Sequence, residues 1–172
     1  MAHRVGVNEG RDSGGASVDL LASLYQRDYH RYVRVAEAIT GDVESARDAV
    51  QEGFASALRH RGDYRGSGGV EGWVWRCVVN AARMARRRRR DARLDKTALP
   101  DEAEVTAAAA GDVRALVARL PERQRLVVFL RHYADLDYEA IGSVLEIASG
   151  TVGATLNAAH RTLRVQLQEV NR

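Results

Sequence analysis

Apolar residues return at helical spacing from about Val18 to Thr40, at Leu21, Tyr25, Tyr29, Tyr32, Ala36 and Ile39. Gly41 ends that run, and Asp42 can cap a second helix continuing to about His60. In the second helix Ala46, Val50, Phe54 and Ala57 point inward, while Asp48, Glu52 and Arg59 project outward with Gln51 on the shoulder. RGDYRGSGG, Arg61 to Gly69, is a loop by composition. A third helix follows from Trp73 to Arg90, WVWRCVVNAARMARRRRR. At 100° per residue Trp73, Val74, Cys77, Ala81 and Met84 share an apolar arc. Arg76, Arg83, Arg87 and Arg90 line one flank, with Arg86 beside them.

The periodicity lapses between Asp91 and Gly111, where Asp91, Asp95, Asp101, Glu102 and Glu104 (with Asp112 just beyond) surround an Ala-rich run that has no apolar face. This reads as a linker. Helical spacing resumes with Val113, Leu116, Val117 and Leu120. Pro121 suits the first turn of the next helix and Glu122 its positive end, with Leu126, Leu130 and Tyr133 on the inner face. Asp137 caps a short helix, Tyr138 to Leu145, whose Tyr138, Ile141 and Leu145 face inward. A turn over Glu146 to Ala148 leads to a last helix, N-capped by Ser149, with Val152, Leu156, Ala159, Leu163, Leu167 and Val170 on its core arc. Two helices joined by a tight turn fit a helix-turn-helix, with a plain helical hairpin as the alternative. The predicted fold is all-α: a disordered leader over 1–16, a helical domain over 17–90, a flexible linker over 91–111 and a helix-turn-helix domain over 112–172.

Composition adds limits to this picture. Apolar residues make up 45% of the 172, enough for packed cores, and two prolines in the whole chain favour helices. Net charge is only +3, so the basic residues matter through clustering. The single cysteine, Cys77, excludes an intramolecular disulfide and sits on the apolar arc as an inert thiol. No apolar run reaches the roughly 20 residues needed to span a bilayer, and residues 1–17 lack a signal-peptide core, so a cytoplasmic protein is expected.

Candidate chemistry concentrates in three places. Guanidinium groups suit bidentate phosphate contact, so the arginine stripe points to a nucleic-acid backbone; a solvated tail is the alternative. Asp48 and Glu52, one helical turn apart, repel each other mildly and would gain from a basic partner. The outer face of the last helix carries Thr151, Ala154, Ala158 and Arg161, flanked by Thr155 and Asn157, types that read thymine methyls and adenine edges. Positive charge there is sparse until Arg161 and Arg164. No metal cluster, catalytic triad order or phosphate loop supports an enzyme, and no cofactor is expected.

Together, ARDAVQEGF (46–54), YRGSGGVEGWVWRCVVN (64–80), LPERQRLVVFLR (120–131) and DYEAIGSVL with SGTV (137–145 and 149–152) resemble the extracytoplasmic-function (ECF) sigma factors of bacterial RNA polymerase. The resemblance implies that the first domain corresponds to sigma region 2, docking on the polymerase clamp helices through Asp48, Gln51 and Glu52. It implies that Arg61, Asp63, Tyr64, Arg65, Trp73 and Asn80 capture an unstacked −10 base, while Arg76, Arg83, Arg86 and Arg87 hold the upstream backbone. The second domain would correspond to region 4, packing on the polymerase flap and reading the −35 element through Ser149, Thr151, Ala154, Thr155, Asn157, Arg161 and Arg164. An anti-sigma factor is a frequent partner in such proteins. Two departures stand out. Gly153, Thr155, Ala158 and His160 replace residues that are often basic, and Ser67, Gly68 and Gly69 replace bulkier loop residues. A stand-alone helix-turn-helix regulator, or a polymerase-binding protein with weakened −35 recognition, are the competing readings.

Overall fold

A computed structural model describes residues 15–66, 69–94 and 113–170, and every regular element among them is a helix. The first, α1, spans Val18–Thr40; the Ser17 hydroxyl accepts from the Leu20 N–H at 3.1 Å, and Gly41, at φ +89°, closes its end by donating to the Glu37 carbonyl. Next comes α2, Val43–Arg59, with Asp42 accepting from the Ser45 N–H at 2.8 Å. A 3₁₀ turn, Arg61–Asp63, follows it, and α3 spans Gly69–Leu94. The third helix is longer at both ends than its apolar pattern predicts. Arginine is a good helix former, so the basic run continues the helix four residues into the segment assigned to the linker.

These three helices enclose one core. Tyr32, Val35, Val50, Val74, Trp75, Val78 and Val79 are fully buried, with the Tyr32 and Trp75 rings 4.1 Å apart and Phe54 edge-on to Tyr32 at 5.0 Å. Helix α2 comes close to α3 at Gly53, where a Cβ would stand 2.7 Å from the Val78 Cα. This contact corrects the expected arc of α3. Its buried face is Val74, Trp75, Val78, Val79 and Ala82, while Trp73, Cys77 and Ala81 lie at the edge and Met84 is 53% exposed. Periodicity weighs every apolar residue alike. The seat of α3 is decided instead by the ring of Tyr32 on one side and the gap at Gly53 on the other.

In the second half, α4 (Val113–Ala118), α5 (Glu122–His132), α6 (Tyr138–Leu145) and α7 (Ser149–Val170) surround Leu126, Leu130, Ile141, Val144, Val152, Leu156 and Ala159. Pro121 lies just before α5 rather than in its first turn. The Asp137 carboxylate caps α6 by accepting from the Ala140 N–H at 2.7 Å. Glu146 turns the chain at φ +58°, and Gly142 lets α6 meet that turn, since a Cβ there would stand 2.6 Å from the Ile147 carbonyl oxygen. The predicted cap of α7 shifts by one residue. Ala148 accepts the first intrahelical bond, from Val152, so Ser149 is already inside the helix.

Four inward assignments fail here. Tyr133 and Tyr138 are 44% and 43% exposed, and Leu167 and Val170 are exposed although they continue the α7 arc; Leu163 is half-buried. Helix α7 outruns its neighbours, so its pattern continues where none of the described residues covers it. Tyr138 leans instead on Gly153, whose Cβ position is 3.4 Å from the ring.

The two halves are in contact. α1 packs on α5 and the start of α3 on α6, so buried apolar residues of both halves belong to one continuous cluster. Arg31 Nε donates to the Tyr133 carbonyl at 2.5 Å. Arg125 Nε donates to the Ala38 carbonyl at 2.9 Å, and its Nη1 donates to the Ala118 and Leu120 carbonyls at 3.0 and 3.1 Å. Arg86 pairs with Glu122 across the same seam. Among the described residues, no helix is long and apolar enough to cross a membrane.

Candidate nucleic-acid and polymerase interface

The outer face of α2 presents Asp48, Gln51 and Glu52, all exposed. Glu52 is held by Arg59 at 2.7 Å, which relieves part of the expected repulsion, while Asp48 has no ion-pair partner among the described residues. Past the end of this helix, Arg61, Asp63 and Arg65 are exposed, and Tyr64 is half-buried with its ring 5.6 Å from that of Trp73. The aromatic pair thus anchors the loop to the second turn of α3.

From Trp73 the helix carries a line of side chains. Positions 73, 76, 80, 83 and 87 recur every three or four residues, so Trp73, Arg76, Asn80, Arg83 and Arg87 share one stripe. Arg76 and Arg83 are half-buried at its edge; Asn80 and Arg87 are exposed. Arg86 leaves this group. It lies about 100° around the helix from the stripe and is turned toward Glu122 of α5. Arg89, likewise off the stripe, pairs with Asp42 at the cap of α2. Cys77 sits beside the stripe, and burial, outweighing neighbouring Arg76, pushes its thiol above the ordinary range and keeps it protonated.

On α7, Ser149, Ala154, Asn157, Arg161 and Arg164 are exposed, whereas Thr151 and Thr155 are half-buried and Thr155 donates its hydroxyl proton to the Thr151 carbonyl at 2.7 Å. Ala158 is half-buried. His160 is exposed, with its ring 5.9 Å from that of His132. Burial, then His160 and Arg131, hold His132 below its ordinary pKa, so His132 adds little positive charge at neutral pH. The arrangement offers an exposed acidic face, an aromatic-headed basic stripe and a weakly charged helix-turn-helix.

Comparison with known proteins fits this geometry. The model of sigma-70 region 2 matches residues 24–92, the α1–α3 unit, and that of sigma-70 region 4 matches 110–163, the unit holding α4–α6 and most of α7. ECF RNA polymerase sigma factor SigL of Mycobacterium tuberculosis is 30% identical over 173 residues, covering 93% of this chain and 97% of SigL. This chain belongs to the ECF sigma factor family. RNA polymerase sigma-H factor of Pseudomonas aeruginosa is 29% identical, with 90% of this chain and 88% of that protein covered. The fold also matches the sigma factor RpoE of Bartonella quintana, solved with the anti-sigma factor NepR, at a TM-score of 0.66 and 18% identity over 87% of this chain and 97% of that one. As an ECF sigma factor it is a transcription initiation factor that directs core RNA polymerase to promoter DNA.

Some important residues of this sigma factor escape its sequence pattern. Trp75, not Trp73, is the buried anchor of α3. Arg31, Arg125 and Glu122 join the two domains, and their helical spacing gives no sign of it because a long-range pair has no local period.

Proposed function

We propose that Asp48, Gln51 and Glu52 dock on basic residues of the polymerase clamp helices, and that the 61–65 loop with Trp73 and Asn80 captures an unstacked −10 base. The observation that carries this reading is the Tyr64–Trp73 pair, set at the head of a polar and basic stripe on one helix. A flipped base needs an aromatic platform and hydrogen-bonding side chains beside it, and Arg61, Asp63, Arg65 and Asn80 supply the latter. Arg76, Arg83 and Arg87 then neutralise the duplex backbone just upstream, and Arg86 joins them once released from Glu122. Ser149, Thr151, Ala154, Thr155, Asn157, Arg161 and Arg164 face the −35 element, while the rest of this domain packs on the polymerase flap. The chain itself performs no chemistry: polymerase supplies catalysis in the cytoplasm, and an anti-sigma factor holds the protein off, as NepR binds its relative.

The promoter elements, named for positions −10 and −35, lie about 80 Å apart on B-form DNA at roughly 34 Å per turn. α3 and α6 touch, so the described arrangement is a closed one and must open on polymerase. The second reading is a factor whose −35 recognition is weak. It is favoured by Gly153, occupied by Tyr138 rather than replaced by a basic side chain.

Both readings are tested by mapping transcript starts with core polymerase and genomic DNA. Starts that share a two-block upstream motif support full promoter recognition; starts that share only a −10 block support the second reading. Polymerase binding without new starts overturns both.

A further inference from the structure

The −10 loop is braced by a segment that lies outside the region 2 match. The 3₁₀ turn Arg61–Asp63 buries none of its own side chains. Its internal bonds, Asp63 N–H to the His60 carbonyl at 2.9 Å and Tyr64 N–H to the Arg61 carbonyl at 3.4 Å, are short-range and exposed. Among the described residues, one hydrogen bond ties it to a segment distant in sequence: the Ala16 N–H donates to the Arg61 carbonyl at 3.0 Å. Ala16 is itself buried and belongs to the hydrophobic cluster. Gly15 lies so close over the turn that a Cβ there would stand 2.9 Å from the Arg61 oxygen and 3.3 Å from the Gly62 Cα. Both neighbours are backbone and cannot swing aside. Immediately after the brace, Ser17 caps α1, so the segment is fixed to a rigid helix.

We infer that Gly15 and Ala16 are positioning residues for −10 recognition, setting where the Arg61 to Arg65 loop presents itself to the unstacked base. The inference rests on the proposed role of that loop. Capture of a flipped base demands placement to a fraction of an ångström; Tyr64 on Trp73 holds the far end of the loop, and the 3₁₀ turn before it, lacking buried side chains, is held by its backbone anchor. Neither residue touches DNA. They act through Arg61, and the region 2 match begins only at residue 24.

The test uses holoenzyme assembled from the full chain, with a promoter fork carrying 2-aminopurine in the −10 single strand. Ala16→Pro removes the donor while keeping an apolar ring in the buried site, and Gly15→Val drives a side chain into the turn. Each is expected to lower the flipped-base fluorescence signal and weaken fork binding about fivefold, the weight of one net hydrogen bond, with affinity for core polymerase unchanged. Trimming residues 2–14 should leave both readouts at wild-type values, and trimming 2–16 should reproduce the Ala16→Pro loss. Gly15→Ala should fall between wild type and Gly15→Val.

Wild-type fluorescence and fork binding in Ala16→Pro and Gly15→Val overturn the brace, provided Tyr64→Ala and Arg65→Ala lose them. If Tyr64→Ala and Arg65→Ala also behave as wild type, the −10 reading of the loop has failed instead. Loss of polymerase affinity in step with fork binding would mean that the substitutions merely unfold the domain, and would equally overturn the positioning role.

Discussion

Asp28 shows how one residue can join packing to electrostatics. Its side chain is only 5% exposed in α1, with Arg27 Nε and Nη2 at 2.8 and 2.5 Å and Arg31 Nη1 at 3.1 Å. Burial alone would raise the carboxyl; hydrogen bonds and charge from Arg27 and Arg31 outweigh it and leave the pKa below the ordinary range. A carboxylate depressed in the folded state contributes stability above its unfolded pKa of about 3.9 and loses it as pH falls through the folded value. Asp42, opposed by burial but held down by the Ser45 N–H and Arg89, behaves likewise. Thermal melts should therefore show stability falling steeply below about pH 4. Asp28→Asn should cost about 1–3 kcal/mol at pH 7 and visibly less at pH 3, where protonation has begun to remove the wild-type carboxylate's advantage. A variant whose deficit is the same at both pH values would show that Asp28 matters through packing.

At the scale of elements, α3 and α7 both separate pattern from placement. The sequence makes α3 amphipathic, yet which polar stripe is left uncovered depends on how the helix is rotated against Tyr32 and Gly53. With this rotation Arg83 and Arg87 lie on the stripe beyond Trp73, while Arg86 and Arg89 are engaged with acids. Replacing Arg83 and Arg87 by alanine should reduce the slope of log affinity against log salt, measured with holoenzyme and promoter DNA, by roughly one per lost phosphate contact. An unchanged slope would remove both from the backbone. In α7, Leu156 is buried and Leu167 exposed although both fall on the arc. Leu156→Ala should cost about 2–5 kcal/mol by chemical denaturation, and Leu167→Ala within about 0.5 kcal/mol.

For the whole molecule the seam between domains is the decisive feature. Arg125 satisfies carbonyls from both sides of it, those of Ala38 in α1 and of Ala118 and Leu120 around the end of α4. Arg31 ties Asp28 to the Tyr133 carbonyl. These are charge-assisted bonds to backbone, stronger than exposed ion pairs but replaceable by water once the seam parts. With fluorophores on the two domains, Arg125→Ala and Arg31→Ala should each shift the free protein toward the open form, lowering transfer efficiency. An unaltered distance distribution in the double variant would assign closure to the apolar contacts alone.

The amino-acid sequence by itself determined the helices, their caps at Asp42 and Asp137, the stop at Gly41, and the family, because those depend on contacts within a few residues. It also marked the acidic face of α2 and the arginine run, since exposed charge needs no partner to be visible. The tertiary structure decided the rest. It chose Trp75 over Trp73 as the anchor, left Tyr133, Tyr138, Leu167 and Val170 in solvent, and turned Arg86 to Glu122. It also laid Gly15 and Ala16 against the loop that follows α2. Each of these depends on which surfaces meet across long stretches of chain, and a helical period, which fixes only which residues share a face, is blind to what that face will touch.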